Sequence, residues 1–423
     1  MKSNELKDKL LSGALCGRTD LYRDTASATK RILEAVESFE SLYGNGRDVY
    51  VLSVPGRSEI SGNHTDHNSG CVLAGAISRD IIAIVSPNAE RVVRLTSEGY
   101  EESVIDIADA PYADRFKKFT SRALIGGMIG GFIDRGYDVG GFDAYTTTEV
   151  LRGSGLSSSA AFEVMIGNIL NHLYNGGSVD NKDIAILARQ SENNYFGKPC
   201  GLMDQMACAV GGFVFIDFEN TDSPVVKPIA FSLKEQGYAL CIVNTGGNHA
   251  NLNDDYASVP FEMRSVASCL GKEVLRGISE EEIIAAIPSL REKVGDRAIL
   301  RSLHFVRENE RVGRAYACLE DGDFEGFLSI IRESGRSSFE YLQNVYTTIN
   351  IKEQGLSLAL ALTDGYMGDI GAYRVHGGGF AGTIQVFIPE NMLAGYVKLM
   401  DSVFGDGAAM PLDIRPVGAC RLF

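Results

Sequence analysis

The chain has no Walker A loop: the pattern G-x-x-x-x-G-K-[ST] occurs nowhere in its 423 residues. Its Gly153-Ser154-Gly155 lacks a third glycine at dinucleotide spacing, so a Rossmann fingerprint is excluded as well. The eight cysteines are scattered without a C-x-x-C pair, which excludes a zinc ribbon and a disulfide frame. They read as buried thiols in a reducing compartment. No apolar run approaches the length of a membrane span. The opening MKSNELKDKLLSG is too charged for a signal peptide. With a net charge of −15 and no Lys/Arg tract, nucleic acid is a poor partner. The expectation is a cytoplasmic protein with neither a membrane nor a nucleic acid as partner. Internal repeats, low-complexity segments and long Pro/Ser linkers are also missing. A chain of this length, 45% hydrophobic, therefore reads as two closely packed domains.

What is present is concentrated in three glycine-rich runs. VPGRSEISGNHTDHNSGCVLAGAI, residues 54–77, sets Arg57, Asn63, His64, Asp66, His67 and Asn68 around four glycines, ahead of an apolar stretch. Such convergent donors and acceptors suit a small polyhydroxylated ligand, or else an Asn/Gly-rich surface loop. TTTEVLRGSGLSSSAAFEVMIGNIL passes from a β-rich segment through glycines into a helix that starts at Ser157-Ser158-Ser159. Free N–H groups and the helix dipole at such a start favour phosphate. Ala160, Ala161, Val164, Met165, Ile169 and Leu170 give that helix its apolar stripe. The third run, Val375-His376-Gly377-Gly378-Gly379-Phe380-Ala381-Gly382, lies between β-type segments. Three adjacent glycines are costly in a plain hairpin and suit a segment passing close to another chain segment or to a phosphate; a glycine-rich hairpin turn is the alternative.

The order of elements is mixed β and α. A first helical region spans residues 1–40, followed by β-type runs at VYVLSV, DIIAIVS and VVRLTS and a helix around residues 115–136. Then come the serine loop and its helix, another helix near DIAILARQSENNYFG, and a β-type run GGFVFIDF. After YALCIVNT, helices fill residues 256–363, and a final strand is expected near DIRPVG.

Taken together, these runs resemble the galactokinase family of GHMP small-molecule kinases. GRSEISGNHTDHNSG is similar to the family's G-R-x-N-L-I-G-E-H-x-D-Y-x-x-G, GSGLSSSAA to its phosphate loop, and HGGGFAG to its third motif. Ser191-Glu192-Asn193 followed by Cys200-Gly201-Leu202-Met203-Asp204-Gln205 is similar to a fourth element. The resemblance runs from about Asp48 to the end. It implies an α/β fold of two domains: a ribosomal-protein-S5-like domain over 1–225 and a ferredoxin-like domain over 226–423. ATP and a small-molecule sugar would meet between them, with Mg2+ as the metal ion. An acidic surface does not oppose this, because a glycine loop and magnesium hold phosphates locally.

The resemblance also implies roles. Asp204 is the proton acceptor, and Arg57 is the cation that keeps it ionised. A plain Arg–Asp ion pair is the alternative. Gly153, Ser154, Gly155, Leu156, Ser157, Ser158, Ser159 and Ala160 form the phosphate loop. Ser158, Ser159 and Glu192 hold the metal. The sugar falls to Asn63, His64, Asp66, His67, Gly201 and Tyr256. This chain departs from the family pattern at Glu59 (usually Asn), Ile60-Ser61, Asn63 (usually Glu), His67 (usually Tyr), Leu151 and Ala381. Asn63 and His67 change the charge expected in the sugar pocket. The implied activity is a galactose 1-kinase. A kinase for a related sugar such as galacturonate, or a non-catalytic sugar/ATP sensor, stands as the alternative.

Overall fold

The structure, a computed structural model, describes residues 1–150, 155–198, 200–221, 223–247 and 252–423. Twelve strands in these residues form two sheets. The first contains β1 (Tyr50–Ser61), β2 (Cys71–Pro87), β3 (Val92–Ser97), β4 (Ser103–Asp106), β5 (Phe142–Thr148), β6 (Phe213–Asp217), β7 (Val225–Ile229) and β12 (Cys420–Arg421), in the order β12-β1-β2-β5-β3-β4. β6 also pairs with β2 and carries β7. All pairs are antiparallel except β3 with β5. The second sheet contains β8 (Tyr238–Asn244), β9 (Ala372–His376), β10 (Thr383–Pro389) and β11 (Ala409–Leu412), in the order β11-β8-β10-β9. The boundary expected after residue 225 falls inside β7, and the chain returns to the first sheet at β12.

Local chemistry explains most element limits. Asp24 caps the Thr25–Tyr43 helix by accepting from the amides of Ala26 and Ser27. That helix lays Ala28, Ile32, Ala35, Val36 and Phe39 against Val51, Ile82 and Ile84 of the first sheet. The helix expected around residues 115–136 starts only at Ser121, because the Thr120 hydroxyl caps the Ala123 amide. On the other side of the sheet, helices Ser121–Asp134, Ser158–Tyr174, Asn181–Ser191 and Met203–Val210 bury the largest core. The final strand expected near DIRPVG divides into two: β11 ends at Leu412 and β12 starts at Cys420, with an isolated bridge from Ile414 to Ile77 between them. The strap joins the two sheets.

That junction positions the site. Arg374 of β9 and Gln385 of β10 are register partners, and both reach across to β1. Arg374 donates to the Ile60 carbonyl at 2.8 Å, and Gln385 to the Glu59 carbonyl at 3.0 Å. Both side chains are fully buried, so these bonds tie the second sheet to the strand that carries the sugar signature.

Candidate functional site

Arg57 sits where the β1–β2 register slips, between Pro55 and Arg57. Its amide donates to the Leu156 carbonyl at 3.1 Å and its guanidinium to the Gly155 carbonyl. Its Nε reaches Oδ1 of Asp204 at 2.7 Å. Asp204 lies in the first turn of Met203–Val210, and its Oδ2 accepts from the Ser157 hydroxyl. Burial pushes Asp204 upward, but the Arg57 charge and these hydrogen bonds outweigh it and hold the carboxyl below its usual range. The Arg57 side chain is 9% exposed and that of Asp204 34%, so the carboxylate keeps an open side.

Ser157 takes the left-handed conformation, with φ 59° and ψ 55°, immediately before Ser158–Tyr174. A non-glycine residue there carries backbone strain, which the bond to Asp204 helps hold. Beyond it, Ser158 and Ser159 line a cavity of about 690 Å3 together with Ser97, Glu98, Phe119 and Phe196. Leu156 and Ala160 are buried behind the loop and serve as packing. Leu151, Gly153 and Ser154 lie outside the described residues.

Glu192 ends Asn181–Ser191 where the helix widens into a π turn, Glu192–Phe196. It is buried, with the Ser159 hydroxyl at 3.4 Å and Lys198 Nζ at 3.5 Å from Oε1. The Gln205 amide bridges Glu192 Oε2, at 2.9 Å, and Glu163 Oε2, at 3.2 Å. Burial and then the Glu192 charge push Glu163 well above the ordinary carboxylate range. Its Oε1 is sealed and has no partner among the described residues. Sequence reading missed Glu163 and Gln205. The available signal was a glutamate on the apolar face of a helix, three residues after Ala160 and one before Val164.

The sugar signature turns partly inward. Asn63 is fully buried. Its amide nitrogen donates to Glu59 Oε1 at 3.1 Å and to the Gly377 carbonyl at 2.6 Å. Its amide oxygen accepts from Ser338 at 3.2 Å and from Asn344 at 2.8 Å. Asn63, expected to contact the sugar, therefore has its amide engaged within the protein. Glu59, another departure in this signature, touches it and is held by Arg374 at 2.8 Å. Relative to the family pattern, acid and amide have exchanged places and still meet. The carboxylate expected to be lost with Asn63 is present at Glu59.

His64, with φ 59°, bonds His67 and the Gly378 carbonyl, both at 2.9 Å. Tyr256 donates to the Gly379 carbonyl at 2.8 Å. The glycine run thus presents consecutive carbonyls to the sugar signature, and a Cβ at Gly379 would stand 2.1 Å from the Asn344 carbonyl oxygen. The run is the loop of the β9–β10 hairpin, and it also brings its backbone close to another segment, so both of those readings hold. Asp66 stays partly open, and a Cβ on Gly201 would stand 3.0 Å from its Oδ2. Asp66 and Asp204 are thus linked through the short segment Gly201–Asp204.

Comparison with known proteins agrees with this layout. Residues 37–87 match the model of the galactokinase galactose-binding signature, and residues 123–212 that of the GHMP kinases N-terminal domain. A galactokinase of Streptomyces coelicolor is 30% identical over 373 residues, covering 87% of this chain and 92% of that protein. Among solved structures, Lactococcus lactis galactokinase complexed with galactose superposes with a TM-score of 0.76 at 23% identity, covering 92% of this chain and 99% of that one. A mevalonate kinase of Methanococcus jannaschii shares the fold at a TM-score of 0.61 and 13% identity, covering 87% of this chain and 98% of that one. Two matched family models and a relative 30% identical over most of both chains lead to one conclusion: the chain belongs to the galactokinase family of GHMP kinases.

Proposed function

We propose that this protein transfers the γ-phosphoryl group of ATP to the anomeric hydroxyl of galactose. The observation that carries this reading is Asp204, clamped by Arg57 and Ser157 yet a third exposed, between the serine-lined cavity and Asp66. Phosphoryl transfer needs an in-line acceptor and neutralised charge more than covalent chemistry. An ionised Asp204 holds the acceptor hydroxyl in line and takes its proton as the new P–O bond forms. Arg57 keeps that carboxylate charged and offsets charge on the transferred group. The phosphates lie at the N-terminus of Ser158–Tyr174, and the base occupies the cavity beside Phe119 and Phe196.

The residues also fit magnesium. Among the described residues no group of three or more His, Cys, Asp or Glu could hold a metal alone. A single carboxylate, Glu192, with the Ser159 hydroxyl beside it, suits an ion that takes its other ligands from water and phosphate. Ser158, on the same turn, is the second hydroxyl within this reading. Bound there, the ion would neutralise phosphate charge.

Asp66, with an open Oδ2 beside Gly201, accepts from sugar hydroxyls. His64 and Tyr256 shape the wall through the glycine carbonyls. The uronate alternative drew on a pocket short of one negative charge. Asn63 spends both ends of its amide within the protein, on Glu59, Gly377, Ser338 and Asn344, and so is not turned toward a uronate carboxylate, which supports galactose. A coupled ADP-release assay over a sugar panel tests the reading. Galactose should turn over at least tenfold better than galacturonate, and ATP hydrolysis without turnover of any sugar would overturn it.

A further inference from the structure

Asp66, His67 and His64 form a chain of contacts whose protons can be assigned from its far end. The Gly378 carbonyl can only accept, so His64 Nε2, at 2.9 Å, donates to it. Burial is the chief cause that holds His64 down to about 3. Its Nδ1 is therefore bare and accepts from His67 Nε2 at 2.9 Å. The remaining His67 nitrogen, Nδ1, lies 3.2 Å from Asp66 Oδ1. At that distance a ring protonated on both nitrogens forms an ion pair with Oδ1, and a neutral ring does not. The His67 amide also donates to Oδ1, at 3.0 Å. Oδ2 accepts from none of the described residues and borders Gly201.

Among the described residues, other charges near the ring are few. Arg264, on the helix Asn253–Cys269, donates to the His67 carbonyl at 3.4 Å. Arg301 and His304, on Asp296–Asp321, act on His64 from behind. Glu59, on β1, feels the charge of Asp66. Asp66 is the carboxylate in contact with the ring.

We propose that His67 is a positioning residue that works as an imidazolium, pinning Oδ1 of Asp66 so that Oδ2 is presented to the sugar. This rests on the reading of Asp66 as a sugar contact. It ties sugar affinity to pH through a residue standing where the family pattern has tyrosine, a group that does not titrate near neutrality. Where the ring gives up its second proton, Asp66 loses its pin and the sugar KM rises.

Two measurements on the full chain test this. Histidine ring 15N–1H correlation spectra of the sugar-free protein at pH 6 should show both His67 nitrogens protonated. A bare Nδ1 would overturn the proposal, whatever the variants do. Galactose KM between pH 6 and 8.5 should rise about tenfold in the parent and stay flat in His67→Tyr and His67→Gln, with kcat changing less than KM. A parallel rise in the variants would overturn it. Asp66→Asn separates the two layers. An unchanged galactose KM there would overturn the sugar-site reading itself, while the spectra still decide the state of His67.

Discussion

Two buried Arg–Asp clusters lean on the same strand, β1, and serve different ends. At one, Asp80 is completely buried and accepts from Tyr22 at 2.9 Å, from Ser53, from Arg31 and from Arg415 at 3.3 Å. At the other, Asp204 accepts from Arg57 and Ser157 and leaves a third of its side chain open. In both, burial raises the carboxyl and arginine charge more than reverses it. The difference lies in what remains after the protein has bonded the group. Asp80 is held by four side chains that join an N-terminal helix, two strands and the C-terminal strap. Asp204 is held just firmly enough to be ionised and oriented, with room for one more partner. A satisfied, sealed pair holds the fold together, and a held but open one is available for chemistry.

The largest expected effects separate the two. Asp204→Asn should lower kcat on the order of a thousandfold, with ATP affinity and the urea midpoint close to the parent's. Asp80→Asn should lower unfolding stability by about 3–5 kcal/mol, because it strands two buried arginines, while the folded fraction retains its kcat. Denaturation and turnover measured on both variants check the contrast. It breaks if Asp80→Asn abolishes turnover at unchanged stability. Arg57→Lys sharpens it: a point charge cannot both grip Asp204 and reach the Gly155 carbonyl, so kcat should fall on the order of tenfold or more.

Next in size is the pH dependence of stability. His64, His304 and His376 are buried and held down to about 3, 4 and 3, chiefly by that burial. The unfolded chain binds their protons below about pH 6.5 while the native chain does not, so stability falls as pH drops from there toward 4. Each contributes a slope of up to about 1.4 kcal/mol per pH unit. Asp80, with a depressed native value, adds its loss only below about pH 4. Urea midpoints at pH 7, 6 and 5 should decline in that order, and a flat series would remove the buried neutral histidines from the account.

Smaller effects test the supporting groups. Glu192→Gln should raise the magnesium requirement on the order of tenfold, with galactose binding little changed, as read from magnesium titrations of turnover. Asn63→Glu alone places a second acid beside Glu59 and should cost about 1–3 kcal/mol. Adding Glu59→Asn, which restores the family order, should recover most of that loss in a double-mutant cycle. The galactose-to-galacturonate ratio should stay within about twofold in the double variant, because the pocket keeps one carboxylate.

Sequence alone determined the class of the fold, the family and the pieces of the site, because each leaves a local signature. Strand and helix periods are set within a few residues, and the serine-capped helix start and the Arg57 and Asp66 motif are contiguous strings. The partnership of residues 147 positions apart, Arg57 with Asp204, was only implied by resemblance until a β1 register slip and a helix first turn brought them to 2.7 Å. Other features had no local signature. The exchange of Glu59 and Asn63 read as a lost charge because each was compared with a pattern rather than with the other. The cavity beside Ser158 draws its walls from β3 and from residues near 119 and 196, segments that no sequence period connects. Tertiary structure decided these because burial and hydrogen-bond satisfaction are properties of a neighbourhood. A carboxylate is structural or functional according to how many of its lone pairs the rest of the chain has already taken.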